Sequence, residues 1–337
     1  MLNIISRSYC DSRASGPNKV VHNLIKGLDK IGYPYVTNKE LACGDYLWIH
    51  DDAPALAALE KYSRKDKVVV GPNIIVPEDP AIDHDGIILL QPSQWTKDFC
   101  LRFRYSKGPV EVWPTGLDTD MFAAAQPEKR QKVLVYFKQR FPEELNHIEN
   151  ILKEKKIVYE VINCGYYREK DYLDSLQAAK YVIWIGRQES QGVAFQEALA
   201  SDIPVLVWDV PRLGHWLPDT AAEKVMFSSE ESAFAGATAA PYFDARCGYK
   251  ILDREVLAES VAKMEREYLS FRPREFVLEN LSLEKQARAL LEIFRRYNPG
   301  KKEDVAPMSG SIKSWRHENL WRFAYRARRL LKKIIKR

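Results

Sequence analysis

Two glutamates with seven residues between them, Glu189 and Glu197, are the side chains of this sequence best placed to do chemistry. They flank Gly192 inside the stretch YVIWIGRQESQGVAFQEALASDIPVLVWD, Tyr181 to Asp209. The apolar run Val182 to Ile185 predicts a buried strand, Val193 to Ala200 a short helix, and Ile203 to Trp208 a second buried strand. A strand, a glycine-bearing loop and a helix start present backbone N–H groups to an anion. Glu189 then falls in the loop above the strand end, and Glu197 about one turn into the helix on the same side. Carboxylates there can grip ligand hydroxyls and favour a centre of developing positive charge. The plain alternative is an ordinary βαβ turn with solvated acids. A second pair, Lys138 and Arg140, follows the predicted strand Lys132 to Phe137. Residues two apart in an extended loop point the same way, so the two cations either meet an anion together or form a solvated charge pair.

The rest of the chain must position these groups. Short apolar runs at Leu2–Ile5, Tyr46–Ile49, Val68–Val70 and Ile87–Leu90 predict buried strands. They alternate with helical spacing, as at Val20, Val21, Leu24, Ile25 and Leu28. That alternation implies a parallel, doubly wound sheet, whose ligands sit at the carboxyl ends of the strands. Polar loops fall there. Gly16 lies near the start of the first helix, as a ligand-approaching glycine or a plain helix start. His50 follows the Tyr46 strand, as a site residue or a strand-end cap, and Asn73 follows the Val68 strand. A second series runs through Glu143–Lys155 (helix), Val158–Ile162 (strand) and Asp171–Ala179 (helix), with helices again near Val256–Tyr268 and Leu283–Phe294. Gly165 and Tyr166 lie in the loop after Ile162, where Tyr166 or Tyr167 either stacks on a flat ligand or packs the fold.

At 337 residues the chain is long enough for two compact domains. The expected divisions are 1–128, 129–300 and a terminal segment 301–337. Five scattered cysteines, none in a Cys-x-x-Cys pair, fit a reducing cytoplasm and argue against a disulfide framework or a zinc site. No apolar run approaches the ~20 residues needed to span a bilayer, and the N-terminus reads as a first strand rather than a leader. Asp118-Thr119-Asp120 matches the metal-binding Asp-x-Asp pattern, but it precedes the connecting segment Ala123–Gln131 and not a nucleotide-facing strand end, so no metal is expected.

Glu189-x7-Glu197 with Ala198-Leu199-Ala200 and Ile203-Pro204-Val205 resembles the nucleotide-sugar motif of family 4 retaining glycosyltransferases of the GT-B fold. VWPTGLDTDMF, Val112 to Phe122, resembles the segment closing that family's first domain. The resemblance implies two Rossmann-like doubly wound parallel-sheet domains and transfer of a sugar from a nucleotide-sugar to a glycan or lipid-linked acceptor. Retention of configuration follows from it alone, and no cofactor is implied beyond the donor substrate. It assigns Glu189, Lys138 and Arg140 to catalysis, the cations by location at the donor diphosphate. It assigns Glu197 to the ribose, and Gly192, Val193, Gly165, Tyr166 and Gly16 to the donor. His50 and Asn73 are acceptor-side candidates, and Asn73 stands where many relatives carry a histidine. A terminal helix returning to the first domain is implied for Leu283–Tyr297. The alternatives are a sugar-nucleotide epimerase of the same fold and a non-catalytic membrane-bound partner.

The net charge of +5 is a terminal device: from Lys313 onward ten basic residues face the single acid Glu318, so the remainder is mildly acidic. After a linker, Lys301–Ser314, apolar residues from Leu320 to Ile335 fall on one helical face. Arg322, Arg326, Arg329 and Lys333 fall on the other, with Trp315 and Trp321 at the leading end. That is the pattern of a basic amphipathic helix lying on an anionic membrane surface, where each cation contributes about 1 kcal/mol. It predicts a cytoplasmic protein held at the inner membrane face, with no nucleic-acid partner. The alternative is a helix docked on the protein body.

Overall fold

The computed structural model describes residues 1–10, 15–61, 68–72, 87–224 and 226–298. The first lobe is built from β1 (Leu2–Ser6), α1 (Gly16–Ile31), β2 (Tyr35–Thr37), β3 (Tyr46–His50), α2 (Ala53–Ala58), β4 (Val68–Val70), β5 (Ile88–Gln91), α3 (Gln94–Arg102) and β6 (Val110–Val112). The second contains β7 (Lys132–Lys138), α4 (Pro142–Glu154), β8 (Tyr159–Asn163), α5 (Glu169–Gln177), β9 (Ala179–Gly186), α6 (Val193–Ala200) and β10 (Val205–Trp208). It continues through α7 (Ala221–Lys224), α8 (Ser229–Ser232), β11 (Gly248–Ile251), α9 (Leu257–Glu267), α10 (Pro273–Asn280) and α11 (Leu283–Tyr297).

Both sheets are wholly parallel. Their orders are β2-β1-β3-β4-β5-β6 and β11-β10-β9-β7-β8. Parallel strands must be covered on both faces, which is why the central ones read as unbroken apolar runs. On the first sheet, Leu2, Ile4, Trp48, Val69 and Leu90 face α1 and α11, while Ile5, Ile49, Val70 and Leu89 face the α2 side. On the second, Leu134, Tyr136, Val182 and Trp184 face α5, α6 and α10, while Val135, Ile183 and Leu206 face α4 and α9.

The connecting segment after β6 does not run free. Ala125 is buried, its amide donates to the Ser201 carbonyl at 2.9 Å, and Arg130 donates to the Ala125 and Asp202 carbonyls at 3.1 Å each. The last helix among the described residues, α11, returns to the first lobe. Ala287, Leu290, Leu291 and Phe294 join its core, and the Trp113 indole donates to the Gln286 carbonyl at 2.9 Å.

Where α1 meets α11, a Cβ on Gly27 would lie 2.5 Å from the Leu283 carbonyl oxygen and 3.0 Å from the Ala287 Cβ. Gly27→Ala therefore forces the helices apart. Overpacking of this kind costs about 1–3 kcal/mol, more than the roughly 1 kcal/mol alanine gains in a helix. The expected result is a melting temperature lower by a few degrees, read by thermal unfolding.

Candidate functional site

The order of the second sheet fixes where a site can form. From β7 the chain moves outward to β8, and from β9 it moves the other way to β10, so the loops after β7 and β9 part at their carboxyl ends. Lys138, the last residue of β7, pairs in register with Gly186, the last of β9. Its ammonium lies 2.6 Å from Glu189 Oε1, and both side chains are largely buried. The Glu189 backbone is held on both sides. Its amide donates to the Thr238 carbonyl at 2.9 Å, and its own carbonyl accepts from the Trp95 indole of the first lobe at 2.9 Å. Thr238 is fixed in turn by buried Asp209, whose carboxylate accepts from the Thr238 hydroxyl at 2.6 Å and from the Ala239 amide at 2.6 Å.

Gly192 caps α6 with φ 78° and ψ 53°, a left-handed conformation that favours glycine. A Cβ there would lie in ordinary van der Waals contact with the Glu189 Cβ, at 3.4 Å. Val193 opens the helix directly after it, so the amides of the first turn face the loop that carries Glu189. Between the two glutamates, buried Gln191 ties the loop to the first lobe. It accepts from the Thr115 amide at 3.0 Å and donates to the Thr115 carbonyl at 2.9 Å.

Glu197 is buried on α6. One carboxylate oxygen, Oε1, accepts from Lys19 of α1, while the other, Oε2, is buried without a hydrogen-bond partner among the described residues. Lys19 also reaches Glu169 Oε1 at 2.7 Å. Burial pushes the Glu197 carboxyl up to about 7, against the pull of Lys19, and nearby Glu169 adds to the rise. For Lys19 burial works against the charge, and the two carboxylates outweigh it, so its pKa is raised.

Comparison with solved structures gives this arrangement a fold name. Sucrose-phosphate synthase from Thermosynechococcus elongatus superposes with a TM-score of 0.56 at 12% identity, over 89% of this chain and 99% of that one. The lipopolysaccharide outer core galactosyltransferase WaaB gives 0.51 at 10% identity, over 87% and 99%. A point mutant of S. aureus TarM gives 0.50 at 13% identity, over 82% and 58%. The fold is GT-B. No family model matches the sequence, and no curated protein matches it.

Within the GT-B cleft the expected partnership of Lys138 and Arg140 is not met. Gln139 between them has φ 46°, so the chain turns and the alternation of an extended loop is lost. Arg140 instead points into the lobe, where it is 1% exposed. Its Nε donates to Glu144 Oε2 at 2.8 Å and its Nη1 to the Gly186 and Trp208 carbonyls at 3.1 and 3.0 Å, and Nη2 meets Glu144 Oε1. Its donors are spent on Glu144 and on the ends of β9 and β10, which corrects its assignment as a cation for the donor.

The remaining candidates divide. Tyr166 is 90% exposed, beside Gly165 at φ 86°, while Tyr167 packs inward with its hydroxyl 3.0 Å from that of Tyr136. Gly16 opens α1, and a Cβ there would meet no described protein atom within 4 Å. His50 ends β3, stacks on Trp48 with ring centroids 5.3 Å apart, and is 3% exposed. Burial pushes its pKa down to about 4, while Asp51 and the nearby Pro17 backbone oppose the shift. Asp118 and Asp120 are bound by Lys26 at 2.6 Å and Lys30 at 3.0 Å. Among the described residues no cluster of three metal-ligating side chains occurs, and no helix is long and apolar enough to cross a membrane. Asn73 and the tail residues Trp315, Trp321, Arg322, Arg326, Arg329 and Lys333 lie outside the described residues.

Three residues of this GT-B cleft escaped the sequence reading: Lys19, Gln191 and Trp95. Gln191 was open to discovery, as a polar side chain between the two glutamates. Lys19 and Trp95 act across 178 and 94 residues of chain, and nothing local marks them.

Proposed function

We propose that this chain is a glycosyltransferase that moves a sugar from a nucleotide-sugar donor to a glycan or lipid-linked acceptor, with retention and without a metal. The observation that carries the reading is Glu197, a buried carboxylate with one oxygen unpartnered among the described residues, together with the Lys138–Glu189 pair at the switch point of a parallel sheet. A buried acceptor without a donor is costly, and a pair of ribose hydroxyls would satisfy it. In this reading Lys138 and the first amides of α6 stabilise the negative charge that builds on the departing diphosphate. Glu189 holds donor-sugar hydroxyls and the positive charge that builds on the ring. Trp95 and Gln191 fix the loop that carries Glu189 from the first-lobe side of the cleft. The TarM mutant, of the same fold, binds UDP, which supports a nucleotide in such a cleft. The basic amphipathic tail supports action at the inner membrane face.

The test is thermal unfolding with UDP, GDP and ADP, followed by product analysis with the sugar-nucleotides of the base that binds. A ligand that binds only the folded state at a hundred times its Kd stabilises by about 2.7 kcal/mol. One of the three is expected to raise the melting temperature, with the rise largely lost in Glu197→Ala. No rise with any of them would sink the donor site. A single sugar-nucleotide isomer as product would turn the reading to epimerisation.

A further inference from the structure

Glu197 belongs to the second lobe, yet the cation that neutralises it comes from the first. The Lys19 ammonium sits between Glu197 Oε1 and Glu169 Oε1, and 5.6 Å from the centre of the Phe122 ring, so three neighbours hold it in place. We infer that Lys19 is a positioning residue for the donor: from the opposite lobe it holds Glu197 ionised and aimed so that its free oxygen can accept the ribose hydroxyls, and Glu169 works against it. The inference rests on the donor reading of Glu197 and adds a residue that the local motif does not contain.

The geometry makes the dependence strong. Glu197 is buried, and a buried carboxyl without a cation takes up a proton rather than stay charged. Among the described residues the titratable groups facing it are few. Lys19 comes from α1 and Glu169 from the start of α5, while Tyr167 and Tyr172 feel its charge and are kept protonated chiefly by their burial. The charge that α10 presents to α6, Arg274, is spent on the carbonyls of Phe122, Ala200 and Thr119 at 2.8, 2.5 and 3.0 Å. Among the described residues Lys19 is therefore the cation that acts on this carboxylate, and Glu169 the anion that opposes it. An ionised acceptor makes hydrogen bonds roughly twice as strong as a neutral one. Donor affinity should thus fall on the acid side as Glu197 protonates. The midpoint should move up when Lys19 is removed and down when Glu169 is neutralised.

Isothermal titration of UDP, GDP and ADP into wild type, Lys19→Met, Lys19→Arg and Glu169→Gln from about pH 5.5 to about pH 9 decides it, with about a tenfold change in acid-side affinity for each unit the midpoint moves. Lys19→Met is expected to bind weakly at neutral pH and to recover on the alkaline side. Lys19→Arg should follow the wild type, and Glu169→Gln should keep affinity to lower pH than the wild type. Profiles that run parallel in all four proteins, or a Lys19→Met loss equal at every pH, would overturn the role of Lys19 while leaving the donor site standing. If the wild type binds none of the three nucleotides, the donor reading fails and this inference with it. Glu169 is partly exposed at the start of its helix, so Glu169→Gln tests the midpoint even if Lys19→Met does not fold.

Discussion

Replacing Glu189 with alanine is expected to lower sugar transfer by about 10²–10³, the usual cost of one charge-stabilising contact in a preorganised site. The size of the effect follows from how the residue is held. Its amide and carbonyl are fixed by Thr238 and Trp95, and Gly192 at its left-handed cap lets the chain turn so that the carboxylate meets Lys138 at 2.6 Å. A group so fixed needs no reorganisation when charge develops beside it, and alanine leaves nothing that can take its place. The same substitution strands the Lys138 ammonium in a largely buried position. Lys138→Ala should therefore lose nearly as much, and the double variant little more than either alone, because residues acting as a unit are not additive. Initial rates with the sugar-nucleotide of the base that binds, normalised to folded protein, provide the measurement. Wild-type turnover in Glu189→Ala would remove this carboxylate from the chemistry. Glu197→Ala is expected to act differently, mainly through donor affinity.

How much of this was legible depends on range and burial. Strands covered on both faces, such as β9 and β10, declare themselves as apolar runs in the sequence. β2, β6 and β11 each form an edge of their sheet, three or four residues long and partly exposed, so no unbroken run betrays them. β11, Gly248–Ile251, has its polar Lys250 inside four residues and is buried only at Gly248. The Glu189–Glu197 pair was visible because both residues ride on one strand–loop–helix unit whose geometry is local. The Lys19–Glu197 contact was not, because it exists only once two sheets face each other. Arg140 failed for a third reason. The positive φ of Gln139 is imposed by the tertiary structure: its carbonyl accepts from the Leu217 amide at 2.8 Å, and its side-chain amide donates to Asp219 at 2.8 Å. A sequence-periodicity rule applied across such a turn gives the wrong face.

That correction carries the second large expectation, on stability. Arg140 is fully enclosed, and its guanidinium bridges Glu144 and the carbonyls that end β9 and β10. Glu144 also accepts from the Phe141 amide at 3.0 Å and pairs with His215 at 3.0 Å. Burial disfavours its charge, but His215 and Arg140 outweigh it and hold the carboxyl down at about 2. Arg140→Met fills most of the volume with an apolar chain but leaves a mostly buried carboxylate short of its main cation and two carbonyls without donors. Removing one partner of a buried ion pair costs about 3–5 kcal/mol, a large share of the roughly 5–15 kcal/mol that holds a folded protein together. The expected result is a denaturant midpoint far below that of the wild type. Arg140→Met/Glu144→Leu should recover part of the loss, because the stranded carboxylate is gone while the orphaned carbonyls remain. A single variant as stable as the wild type would mean that the guanidinium is not bound inside the lobe, and would return Arg140 to the donor side of the cleft.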